Sequence, residues 1–161
     1  MDRGRWSVGE WTLFGVGFAA AACLWLGLAW IPRRLAAVNA LRAFAAARGA
    51  RARGDGVLEP LSILGVARGR PFTVTWQRPP GAGDLLLVGV DCRVDDGALD
   101  AAAGVPGATE TAAEGSALVS RWVRPGPDVV DPARLAMIVD ALAQMAEELE
   151  ATRPNLEPDP D

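Results

Sequence analysis

The sequence predicts an α+β protein: one N-terminal transmembrane helix, then a small antiparallel sheet of three to four strands packed by a C-terminal amphipathic helix. Three observations predict it. Residues 11–31 carry no charge, apolar residues alternate with period 2 over 72–77 and 85–94, and an apolar stripe of helical period closes the chain at 132–151.

The N-terminal tail, residues 1–10, holds Asp2 and Glu10 against Arg3 and Arg5. The next segment, 11–31, reads WTLFGVGFAAAACLWLGLAWI, 21 residues long. At about 1.5 Å per residue such a helix spans roughly 30 Å, the thickness of a bilayer core. Trp11 and Trp30 stand at its ends, where indoles favour headgroups. The run is too long and its start too acidic for a signal peptide. Gly15, Ala19, Cys23 and Gly27 recur every four residues and form a small-residue stripe, a packing face for a partner helix or a second copy.

Orientation follows from arginine. Six arginines follow the run closely: Arg33, Arg34, Arg42, Arg48, Arg51 and Arg53, with no acid between Glu10 and Asp55. The positive-inside rule then leaves the N-terminus outside and the C-terminal domain in the cytoplasm. The reverse, an N-in anchor with an external domain, is the alternative. The basic stretch 33–54 reads as an alanine-rich juxtamembrane helix and linker, with Leu35, Val38, Leu41 and Phe44 as a partial apolar stripe and Gly49 as its stop. The lipid bilayer is the expected partner of this half.

Residues 55–151 read as one small α+β domain. Leu61–Ala67 is short and apolar, and Arg68-Gly69-Arg70 makes a turn. Phe72, Val74 and Trp76 then alternate with Thr73, Thr75 and Gln77. Pro79 to Asp84 breaks the chain before a strand over 85–94, with Leu86, Val88, Val90 and Cys92 on one face and Asp91 and Arg93 on the other. Residues 95–115 lack aromatics and read as a long loop with one helical turn near 98–103. Ser116–Val123 is the next strand. Asp131 caps the last helix and Pro132 starts it. Leu135, Ile138, Val139, Leu142, Met145 and Leu149 line one face. Glu147, Glu148 and Glu150 crowd its C-terminal end, where the macrodipole disfavours anions. That end either frays in solvent or waits for a cationic partner. Residues 152–161, rich in proline and acid, are expected to be a disordered tail.

Composition removes chemistry. The chain has no histidine, no lysine and no tyrosine; all 16 basic residues are arginine. Imidazole bases, histidine metal ligands, Schiff-base lysines and P-loop lysines are therefore excluded. Charge is also split. Residues 1–54 carry +6 and residues 55–161 carry −10, for a net −4. An acidic distal half argues against nucleic acid as ligand.

The remaining candidates are weak. Asp91, Asp95 and Asp96 form the one acidic cluster beside a predicted strand, where a hard cation such as Mg²⁺ or Ca²⁺ would want carboxylates. Arg93 between them and the turn chemistry of Asp95-Asp96-Gly97 favour an ordinary strand end. Cys92 reads as a buried structural thiol, because no histidine or lysine can activate it. Arg68, Arg70 and Arg78 flank the 72–77 strand and could clamp an acidic group, though solvated hairpin ends are commoner. No cofactor is implied. The reading that follows is a single-pass membrane-anchored binding or scaffolding module, possible accessory subunit of a membrane assembly, and not an enzyme. The alternative is a membrane-tethered enzyme using carboxylates, arginine or a divalent metal.

Overall fold

The computed structural model describes residues 8–93 and 105–151, apart from the side chains of residues 8, 10 and 26–30. Along the chain run helix α1 (Val8–Ala47), strands β1 (Arg51–Arg53), β2 (Leu61–Ala67), β3 (Arg70–Gln77), β4 (Leu85–Asp91), β5 (Glu110–Glu114) and β6 (Ala117–Val123), and helix α2 (Pro132–Ala151). Residues 1–36 and 37–161 form two compact units.

In the first unit the described side chains Trp11, Leu13, Phe14, Val16, Phe18, Leu24 and Trp25 are exposed on the helix. Among the described residues no helix is long and apolar enough to cross a membrane. The expectations of a transmembrane segment at 11–31, of a single-pass membrane protein and of its N-out orientation are corrected accordingly. The juxtamembrane label on Arg33, Arg34, Arg42, Arg48, Arg51 and Arg53 goes with them. So does the membrane context of the stripe. Gly15 has open space at its Cβ position, and Ala19 and Cys23 are exposed; residue 27 is one of those whose surroundings are not described.

The second unit is built on one antiparallel sheet of six strands in the order β1-β2-β3-β4-β6-β5. The α+β class is as the sequence predicts; the sheet is wider than the expected three to four strands. Two strands account for the difference, and both are edges. β1 lies in the stretch read as a linker, and β5 in the stretch read as a loop. Each is short and poor in β-branched or aromatic residues, so its extended form rests on pairing with a better strand. A signal for β5 was present: Glu114 pairs with Ala117 across Gly115-Ser116, a two-residue hairpin loop of the Gly-Ser kind. The β2–β3 hairpin is tighter still. Ala67 pairs with Arg70, and Arg68 and Gly69 both take positive φ, 52° and 80°, which is the type I′ geometry that matches strand twist.

Alternation sorts the sheet into two faces. Leu61, Ile63, Phe72, Val74, Trp76, Leu86, Val88, Val90, Leu118 and Trp122 are buried on one. Both helices contribute to that core. From α1 it takes Ala37, Val38, Leu41, Phe44 and Ala45; from α2, Leu135, Ile138, Val139, Leu142, Ala143 and Ala146. Each of the larger side chains contributes about 1.5–3 kcal/mol by leaving water. The α1 stripe thus lies at Val38, Leu41 and Phe44 as its spacing predicts, while Leu35 is exposed. The Phe44 and Phe72 rings meet with centroids 6.0 Å apart, tilted by 56°. α1 ends where Gly49 takes φ +62°, with Ala50 N–H donating to the Ala45 carbonyl at 2.8 Å and Gly49 N–H to Ala46 at 3.2 Å. This pair of bonds is a Schellman stop.

α2 matches its predicted bounds. Asp131 Oδ1 accepts the N–H groups of Ala133 and Arg134 at 3.0 and 3.1 Å, the N-cap its position implied. The predicted turn near 98–103, Asp95, Asp96 and the tail 152–161 lie outside the described residues.

Candidate functional site

Two concavities lie at the same end of the sheet, and they share Pro71 and Asp91. The first is polar, about 360 Å³, where the β2–β3 turn meets the end of α2; Arg68, Arg70, Arg93, Asp91, Glu147 and Glu150 line it. The turn sets its geometry. The type I′ hairpin places Arg68 and Arg70 beside the last turn of α2, whose glutamates point back at them.

Glu150 is the centre of this recess. Its two carboxylate oxygens accept both arms of the Arg70 guanidinium at 2.9 and 2.8 Å, and Oε1 also accepts the Arg93 backbone N–H at 2.7 Å. The Arg70 fork and the Arg93 amide together hold the Glu150 carboxyl down at about 2. Arg70 also donates to the Asp91 carbonyl at 3.2 Å. Arg68 grips Glu147 the same way, at 3.2 and 3.0 Å, which lowers that carboxyl as well. Glu148 accepts from Gln144 one turn back at 2.9 Å. Two of the three crowded glutamates of α2, Glu147 and Glu150, therefore have cationic partners within the chain. Of the three arginines that could have clamped an external acid, Arg68 and Arg70 are engaged with them. Neither separation in sequence nor periodicity links residue 70 to residue 150, so only the fold could reveal the pair.

Cys92 lies just behind this network. It is buried, and loss of water and the neighbouring Glu150 charge push its thiol up, against a smaller opposing pull from Arg70. Its Sγ lies 3.9 Å from the Ala146 carbonyl. A buried thiol whose ionisation is disfavoured is a poorer nucleophile than a free one. Asp91 is exposed at the end of β4. Among the described residues no group of three His, Cys, Asp or Glu side chains could hold a metal ion. The cluster proposed with Asp95 and Asp96 extends beyond the described residues.

The basic residues near the end of α1 separate. Arg48 donates to both Asp140 oxygens at 2.9 and 2.6 Å and to the Ala136 carbonyl at 3.1 Å. It ties the end of α1 to α2. Asp140 also strengthens its hold on its proton. Arg34 is buried, whereas Arg33, Arg42, Arg51 and Arg53 are exposed.

The second concavity is shallow and apolar, about 480 Å³, on the sheet face opposite the helices; Thr73, Thr75, Leu87, Gly89, Ala117 and Val119 form its floor. The register extends this floor into cross-strand rows. Arg51, Leu64, Thr73, Gly89, Val119 and Ala112 form one, and Arg53, Ser62, Thr75, Leu87, Arg121 and Glu110 the next. Val66, at 63% exposure, and Leu64, at 40%, stand at its margin. The sequence did not mark this surface, because its residues occupy the positions that alternation assigns to water. Comparison with protein families, curated proteins and solved structures finds no match that would carry a function across to either concavity.

Proposed function

We propose that this chain is a protein-binding module whose docking surface is the open face of the sheet. One observation carries the reading. A one-sided antiparallel sheet normally turns polar residues to water, yet here Leu64, Val66, Leu87, Gly89, Ala117 and Val119 stand among Ser62, Thr73, Thr75 and Arg121 on the face that no described element of the 37–161 unit covers. The charged groups that could have supported catalysis support the reading from the other side. Arg48, Arg68, Arg70 and Arg121 are engaged in ion pairs with Asp140, Glu147, Glu150 and the two β5 glutamates. They hold the fold together and leave the flat apolar floor as the recognition element.

Site-specific photo-crosslinking tests this. A crosslinker at Leu87 is expected to give discrete protein adducts that disappear with Val119→Arg. A crosslinker at Met137, exposed on α2, is expected to give none. Equal labelling from both positions, or none from Leu87, overturns the reading.

A further inference from the structure

We infer that the partner for which the open face is built is a second copy of this chain, docked face to face about a two-fold axis parallel to the strands. The inference rests on the docking reading above and adds the partner and its orientation.

Charge at the two edges of the face selects the arrangement. β1 places Arg51 and Arg53 on the open face, beside Leu64 and Ser62. Neither makes an ion pair with a described residue. The opposite edge, β5, carries Glu110 and Glu114, which share the single guanidinium of Arg121 at 3.1 and 3.0 Å. Two glutamates against one guanidinium leave that edge with an excess of negative charge. One rim is thus basic and the other acidic.

A two-fold axis parallel to the strands exchanges the two rims. It sets β1 of one copy over β5 of the other, β2 over β6, and β3 over β4. The rows then meet themselves in reverse. Arg53 faces Glu110, Leu64 faces Val119, Thr75 faces Leu87 and Thr73 faces Gly89. Arg51 falls over Ala112 and Arg121 over Ser62, and each copy's arginine edge meets the other's glutamate edge once, two such contacts per dimer. The other face-to-face two-fold, perpendicular to the strands, sets β1 over β1 and brings arginine against arginine. An isologous interface must complement itself, and only the first axis achieves that here.

Area sets the strength. Six strands at about 4.8 Å spacing, each with about six residues at ~3.3 Å, give a face of roughly 500 Å² and a total near 1,000 Å² for two copies. That is the low end for specific association, so the dimer is reversible. Sheets packed face to face sit near −30° to one another, so the axis runs close to the strand direction and the central rows stay in register.

The test is a charge exchange in the full-length chain, read by sedimentation over about 10 µM to 1 mM. The first variant is R51E/R53E. The second is E110R/R121E/E114R, which inverts the acidic rim while keeping its internal pairing. Each alone is expected to weaken association at least tenfold, and an equimolar mixture is expected to restore it to within about threefold of the original chain, more weakly as salt is raised. Association through any other surface is indifferent to these substitutions. Folding of each variant is checked by circular dichroism. Should the second variant fail to fold, Leu87→Arg serves in its place, with the same tenfold loss expected. A chain that stays monomeric throughout, variants that associate like the parent, or a mixture of folded variants that does not recover, each overturn the inference. If the chain is monomeric while Leu87 still crosslinks to other proteins, the second copy is wrong and the docking surface stands. If both fail, both readings fall.

Discussion

Arg70 and Glu150 form a two-pronged ion pair, 2.9 and 2.8 Å, between the β2–β3 hairpin and the last turn of α2. It closes the sheet against the helix at the end where α2 would otherwise fray. Three glutamates there oppose the helix dipole, and the two hairpin arginines offset that cost.

The pair makes stability depend on pH. Glu150 is lowered in the folded chain to about 2, so its contribution is fully present above the ordinary carboxylate range, about 4.3. It is lost progressively as pH falls from there towards 2. About a quarter of each side chain still sees water, 21% and 28%, so screening reduces the gain to about 1 kcal/mol. Glu150→Gln should therefore cost that much in urea unfolding at pH 7. The difference from the parent chain should shrink between pH 4 and pH 2.5. A gap that is constant with pH would show that the pair is not the source.

Arg48 should matter more than its surface position suggests. It is the cross-link between the end of α1 and α2, with two bonds to Asp140 and one to the Ala136 carbonyl. Arg48→Ala removes a charge-assisted fork and the packing of its stem, and is expected to cost about 1–2 kcal/mol. Arg42→Ala, one helical face away and exposed, should be nearly neutral. Denaturant midpoints of the two variants, with unchanged slopes, decide this.

Two glycines with positive φ should respond differently to alanine. Gly54 has φ +87°, and a Cβ there would run into the Pro60 carbonyl. Gly81 has φ +75° but open space around it. Gly81→Ala should cost only the backbone conformation, about 1 kcal/mol. Gly54→Ala must also move the loop that Asp55 holds by accepting three N–H groups, from Val57, Leu58 and Glu59, at 2.7, 2.8 and 2.9 Å. Its thermal midpoint should fall clearly below that of Gly81→Ala.

The α2 cap offers a local check. Asp131→Ala leaves the Ala133 and Arg134 N–H groups to water, and should destabilise by about 1 kcal/mol. Hydrogen exchange should speed up in the first turn of α2 before it does so near Leu142.

The sequence by itself determined the α+β class, the four central strands β2, β3, β4 and β6, both ends of α2 and the buried state of Cys92. These follow from local chemistry: alternation, helical spacing, a capping aspartate and the side chain's own polarity. It did not determine the edges. β1 and β5 hold few strand-forming residues and are extended because β2 and β6 pair with them. The membrane expectation rested on an uninterrupted apolar run, and the described helix does not carry a stretch long and apolar enough to cross a membrane. The tertiary structure alone decided where the charges go. Arg48, Arg68 and Arg70 find Asp140, Glu147 and Glu150 at separations of 79 to 92 residues, which no short-range pattern encodes. It also decided which face of the sheet is covered. Alternation tells the two faces apart, but only the packing of α1 and α2 on one of them leaves Leu64, Leu87 and Val119 on the other.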